Sequence, residues 1–247
     1  MDTSLVLYGF MLLLIFVVAF LYASVGHGGA SGYIAVLAIF GVGTAQIKSS
    51  SLVLNILVSS IAFYHYYRAG FFKWSLFYPF ALASIPFAYL GASIVLSDNI
   101  YKKTLAVCLL FPIARLLWSK PANAVELHNP NIYVSLAIGA ALGLISGMLG
   151  IGGGILLSPI LLILHWANMK QTAAVSSLFI LVNSVAGFVA LLQKGNPIDA
   201  NILPLVGLAI VGGLAGAYLG SRKFQFVALK NILSFVLLIA AAKLFFT

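Results

Sequence analysis

Long apolar stretches alternate with short polar breaks along the whole chain, and the stretches have the length of membrane spans. A bilayer core takes about 20 apolar residues in a helix. That length divides the sequence into predicted spans near 4–25, 46–67, 74–96, 101–118, 132–149, 171–193, 202–221 and 226–246. Two shorter apolar pieces, near 31–40 and 155–166, follow glycine-rich turns and are too short to cross alone as straight helices. Each is expected to be a half-helix or re-entrant segment, packed inside protein where its terminal backbone groups find partners. The predicted fold is an all-α polytopic membrane protein.

The two glycine-rich turns sit at matching places. Displaced by 124 residues, Gly26, Gly28 and Gly29 fall on Gly150, Gly152 and Gly153; displaced by 128, Ala45, Ser49 and Asn55 fall on Ala173, Ser177 and Asn183. Displaced by 129, Tyr89-Leu90-Gly91 falls on Tyr218-Leu219-Gly220. Drifting offsets signal small loop insertions between matching spans. The pattern predicts two homologous repeats of about four transmembrane helices, residues 1–118 and 131–247, each with a glycine-broken or re-entrant half-helix. A polar linker, residues 119–130, joins them and carries Pro121, Glu126 and Pro130. Four crossings per half plus one non-crossing segment would give the repeats one shared orientation, which is the expectation here; crossing half-helices would invert them.

Composition agrees with the pattern. Of 247 residues 63% are hydrophobic and 7% charged, with a mean hydropathy of +1.14, values that exclude an ordinary soluble domain. A net charge of +9 would suggest nucleic acid in a soluble chain, but the 13 Lys and Arg residues are scattered among loops and span ends. There they meet lipid headgroups and water, so the bilayer is the expected partner and nucleic acid is not. Orientation is nearly unreadable, because with both termini on one side the positive charges divide six against seven, a slight lean toward external termini. Asp2 and the lack of a basic segment before the first span favour a retained span over a cleaved signal. The single cysteine, Cys108, lies in an apolar run and cannot form an internal disulfide.

Three segments carry a family resemblance: Tyr22-Ala-Ser-Val-Gly-His-Gly-Gly-Ala-Ser-Gly-Tyr33, Lys48-Ser-Ser-Ser-Leu-Val-Leu-Asn-Ile-Leu57 and Gly147-Met-Leu-Gly-Ile-Gly-Gly-Gly-Ile-Leu-Leu-Ser-Pro159. Together they resemble the sulfite exporter TauE/SafE family of membrane permeases, over essentially the whole chain. The resemblance implies a multi-pass carrier in the inner membrane of a bacterium or archaeon. It also implies a substrate among small sulfur-containing anions such as sulfite or organosulfonates, in many cases exported.

An oxyanion site can be built without an arginine cluster from backbone N–H groups at helix N-termini, where unpaired donors and the positive end of the helix dipole coincide. Glycine lets a ligand approach the main chain closely. The candidate substrate-binding residues are therefore His27, Gly28, Gly29 and Ser31 at the first turn and Gly152, Gly153, Gly154 and Ser158 at the second, with Lys48, Asn55 and Asn183. Asn55 and Asn183 are placed within apolar spans, and each either contacts substrate or makes a structural bond between helices. Lys48 and Lys170 either attract anions or snorkel to headgroups. His27, matched by Ile151 in the second turn, is either a proton-sensitive gate or a histidine tied to a nearby carbonyl. Gly139, Gly143 and Gly147, and likewise Gly212 and Gly216, have the spacing of close helix packing. Gln46 and Gln171 read as capping or interfacial groups, and His65 with Tyr64, Tyr66, Tyr67 and Arg68 as an interfacial belt, as does His165 beside Trp166.

All four acidic residues, Asp2, Asp98, Glu126 and Asp199, lie at termini or loops. No span then carries a carboxylate for a coupling ion, and an anion leaving a negative-inside cell gains about 2.3 kcal/mol per 100 mV unaided. Efflux is the expected direction. No cofactor, metal site or catalytic residue is expected, since four scattered histidines and one cysteine make no ligand cluster. A passive channel or membrane assembly factor stays as the alternative, with a serine hydrolase built on Ser31 or Ser158 as a remote one. A homo-oligomer is compatible with the chain.

Overall fold

The computed structural model describes residues 3–94, 127–195 and 202–223, with scattered positions between 96 and 110 and residue 238. Most of the expected span at 226–246 and of the linker 119–130 lies outside the described residues, and the span at 101–118 is described only in part. The described elements are helical: α1 (Thr3–Ser24), α2 (Ala30–Ile39), α3 (Thr44–Arg68), α4 (Trp74–Ala92), α5 (Ile132–Leu149), α6 (Gly154–Ile163), α7 (Met169–Gln193) and α8 (Ile202–Arg222). Among them six are long and apolar enough to cross a membrane, and α2 and α6 are the short ones, at 10 residues each. Large apolar side chains such as Leu5, Leu13, Leu82 and Leu203 face outward, as they must in lipid.

Local chemistry sets the helix ends. Asn131 caps α5 by accepting from the N–H groups of Tyr133 and Val134. Asn168 and Gln171 form a capping box on α7, which makes Gln171 the capping group its position suggested. At the breaks Gly26, Gly29, Gly150, Gly152 and Gly153 have φ between 71° and 98°, a left-handed backbone that only glycine adopts at low cost.

Two glycine seams join the bundle. A side chain at Gly139, Gly143 or Gly147 of α5 would strike the α4 backbone at Phe80, Ser84 and Ala88, and one at Gly212, Gly216 or Gly220 of α8 would strike α1 at Phe16, Phe20 and Ser24. Close approach of this kind lets van der Waals contact hold helices that lipid gives no hydrophobic reason to associate.

These contacts also fix direction. Residue numbers rise together along both seams, so α1 runs with α8 and α4 with α5. Val58 and His65 of α3 meet Gly213 and Tyr218 of α8, again in parallel. By contrast Leu52, Asn55 and Tyr66 of α3 meet Gly187, Ser184 and Ala173 of α7, so these two are antiparallel. The short helices fold back: Gly32 packs on Val18 and Tyr22 of α1, while Gly154 and Ser158 of α6 meet Ile180 and Ser176 of α7. Exchanging α1–α4 with α5–α8 in order therefore reverses every helix. The shared orientation expected from the crossing count does not hold, because the stretch from each glycine turn through its short helix carries the chain back to the other end of the bundle: Ser24 lies level with Tyr66 at one end, and α3 starts again at the other. One consequence is a new division of charge: among the described residues Arg68, Lys73, Lys170, Arg222 and Lys223 lie at one end of the bundle, and Lys48, Lys103 and Lys194 at the other.

Candidate substrate site at two glycine breaks

Residues 21–37 and 149–159 are buried without interruption, so both breaks lie in the interior. They meet at Asn55, near the midpoint of α3 and fully buried. Its Oδ1 accepts from the N–H of Ala30, the first residue of α2, at 3.1 Å. Its Nδ2 donates to Ser184 Oγ of α7 at 2.8 Å. A side chain at Gly28 would collide with the Asn55 carboxamide, and one at Gly152 would lie 2.6 Å from Asn55 Nδ2 and 2.7 Å from Ser184 Oγ. Both turns thus need glycine for close approach to one amide.

The N-caps of α2 and α6 are Gly29 and Gly153, which have no side chain to bond the first turn. First-turn N–H groups of both helices consequently point into a buried region, with Ala30 held by Asn55. Tyr33 lays its ring over Gly29, and Phe179 lies against Gly153. Ser31 hydrogen-bonds Tyr22 Oη at 2.7 Å, which ties α2 to α1.

His27 connects the halves. Its Nδ1 lies 3.0 Å from the carbonyl of Val25 and its Nε2 3.0 Å from Ser158 Oγ on α6. A carbonyl only accepts, so Nδ1 carries the hydrogen and a neutral ring presents a lone pair at Nε2. Ser158 Oγ also lies 2.9 Å from the carbonyl of Gly154 and 2.8 Å from Ser176 Oγ. Its single proton can go to Nε2, to the carbonyl of Gly154 or to Ser176 Oγ. Protonating the imidazole would make Nε2 a donor and turn the serine hydroxyl to Gly154 or Ser176, so the link between the first turn and α6 is sensitive to one proton.

Asn183, which matches Asn55 in the other half, differs from it. It is 2% exposed, and neither Nδ2 nor Oδ1 has a hydrogen-bond partner; Tyr33 Oη and Ser51 Oγ are buried and unpartnered as well. Lys48 stands seven residues before Asn55, about 10 Å along the helix at 1.5 Å per residue, with its stem against Gly150. Lys170 is used otherwise: its Nζ donates to the carbonyls of Gly220 and Ser221 and lies over the rings of Tyr66 and Phe71. It closes the C-terminal end of α8. Tyr66, read from sequence as part of an interfacial belt, is buried and donates to the carbonyl of Ser24 at 2.7 Å. Sequence reasoning passed over Ser176, Ser184, Tyr22 and Tyr33. Their signal was the presence of hydroxyls within apolar segments at the turns, which serine and tyrosine supply too often to be decisive.

Among the described residues no group of three or more His, Cys, Asp or Glu could hold a metal ion. Among the described residues, six helices long and apolar enough to cross a membrane, two short helices behind glycine turns and a buried set of neutral donors define a multi-pass membrane protein with a polar centre. The chain belongs to the sulfite exporter TauE/SafE family, whose pattern matches residues 11–244. It is 36% identical over 234 residues to the probable membrane transporter protein y4hK of Sinorhizobium fredii, covering 93% of this chain and 94% of that one. It is 32% identical over 113 residues to the probable membrane transporter protein YunE of Bacillus subtilis, covering 46% of this chain and 41% of that one. No solved structure matches. The chain is a membrane transporter of this type.

Proposed function

We propose that the protein exports small sulfur-containing anions, such as sulfite or organosulfonates, through the inner membrane of a bacterium or archaeon, binding them near the midplane at the two glycine breaks. The observation that carries this reading is the convergence of both breaks on Asn55 in the buried centre, in a bundle whose halves run in opposite directions. Inverted halves around unwound backbone are the usual construction of alternating-access carriers, and the two halves are here taken as duplicated repeats, each with a glycine-broken half-helix. Uncapped first turns offer N–H donors to an oxyanion. The absence of acidic residues from the predicted spans favours movement down the membrane potential rather than ion-coupled uptake. Among the described residues positive charge is in excess at the end bearing Arg68 and Arg222, which supports a cytoplasmic position for that end by the positive-inside rule.

Purified protein is expected to gain thermal stability with sulfite or one organosulfonate at fixed ionic strength, and not with chloride. Ligand at a hundredfold excess over its Kd adds about 2.7 kcal/mol to the native state. A flat response across sulfite, thiosulfate, taurine and sulfoacetate would remove the anion reading. Saturable counterflow in vesicles separates a carrier from a channel.

One observation favours a second reading. Ser158 and His27 have the separation of a nucleophile and its base. Against hydrolysis, the histidine is oriented by a carbonyl rather than a carboxylate, and the hydroxyl is shared with Gly154 and Ser176. A fluorophosphonate probe is expected to leave the protein unlabelled; labelling at Ser158 that is lost in His27→Ala would establish the hydrolase instead.

A further inference from the structure

The two matching asparagines of the halves are not in matching states. Asn55 spends both ends of its carboxamide on the protein, one on Ala30 N–H and one on Ser184. Asn183 spends neither, although it is 2% exposed. Burying a carboxamide without partners costs free energy in any apolar surrounding, and a helix position inside a span would be better filled by leucine. The position is close to the second break: Asn183 lies one turn beyond Phe179 on the same helix face, and Phe179 lies against Gly153.

We propose that Asn183 is the side chain that binds the transported anion, that Asn55 is a brace, and that the substrate carries a hydrogen-bond donor as well as acceptor oxygens. The inference rests on the transporter reading above and narrows its substrate class. Both atoms of the amide are unpartnered, so exchanging the assignment of oxygen and nitrogen leaves the conclusion unchanged. The Nδ2 group supplies hydrogens to oxyanion acceptors, and Oδ1 requires an N–H or O–H from the ligand. A monoprotonated oxyanion or an amino-sulfonate satisfies both; sulfate or a plain alkylsulfonate satisfies one and leaves the other buried and unpaired. A site built to hydrogen-bond a ligand group rejects the analogue lacking it.

The test is thermal unfolding of the full-length protein in detergent, at mildly acidic pH, with two matched pairs of probes: hydrogen sulfite against sulfate, and taurine against ethanesulfonate. Wild type should respond to the donor-bearing member of a pair at a concentration at least about tenfold below its counterpart, the effect of one hydrogen bond to a charged group. Asn183→Leu should unfold at or above the wild-type temperature without ligand, since it removes an unpaired amide, and should lose the response. Asn183→Ala, which needs no extra space, should lose it too. The assignment is overturned if both variants unfold well below wild type without ligand, because the amide then has a structural partner. It is also overturned if they keep the wild-type response, or if sulfate and ethanesulfonate act as strongly as their counterparts. A wild-type protein indifferent to every sulfur anion would instead overturn the transporter reading, and this assignment with it.

Discussion

Asn55→Leu is expected to destabilise the protein by roughly 2–4 kcal/mol, the cost of leaving two buried groups without partners, and to abolish transport. The side chain it replaces is of similar volume, so the loss is one of hydrogen bonding. Ala30 N–H and Ser184 Oγ would both lose their bonds to the carboxamide. The first of these opens the N-terminal turn of α2, whose cap residue is a glycine. The second unties α3 from α7, which run antiparallel and belong to opposite halves. Thermal unfolding of the variant measures the first effect and vesicle flux the second. An Asn55→Leu protein as stable as wild type would mean that the breaks are held by packing alone. The contrast with Asn183→Leu is the sharper point, because the same substitution at the matching place has the opposite expected sign.

What the sequence made legible divides along a physical line. Span existence depends on composition over about 20 residues, and the six described long helices fall within a few residues of the predicted stretches; Trp74–Ala92, for instance, was read as 74–96. The short helices were legible for the same reason, with Ala30–Ile39 read as 31–40. Direction was not, because it depends on what five turn residues do. Gly26 and Gly29 in left-handed conformation reverse the chain, and a glycine cluster looks the same in sequence whether it bends a helix or turns it round. The glycine seams were legible from four-residue spacing at Gly139, Gly143 and Gly147 and at Gly212 and Gly216, while Gly220, which extends the second seam, was not read into it. The burial of both glycine turns and of Asn55 and Asn183 was legible from their place within apolar segments. The hydroxyl partners were not: Ser158 meets His27 across 131 positions, and no local pattern marks one serine among many in apolar helices. The bonds of Lys170 to α8 were not legible either, because sequence shows a cation near a span end, not the carbonyls of Gly220 and Ser221 beside it.

Gly153→Leu should leave a folded protein that does not transport. The residue has φ +77°, and a β-carbon there would lie 3.0 Å from Phe179 Cε1 and 3.1 Å from both Cβ and Oγ of Ser146. A left-handed backbone costs an L-residue about 1–2 kcal/mol, and the remaining leucine atoms must displace the Phe179 ring or fill the space over the first turn of α6. Neither cost reaches the seams of α1 with α8 and of α4 with α5, which close on glycines elsewhere, so the bundle should survive. The control is Gly195→Leu: Gly195 has φ +73° with nothing within 4 Å of the added atom, so it carries the backbone cost without the collision. Flux through vesicles bearing equal amounts of the two variants isolates the effect of the turn. Loss in Gly153→Leu with retention in Gly195→Leu assigns transport to the main chain at the second break. Equal flux in both would take that turn out of the mechanism and leave the asparagines and His27 to act without it.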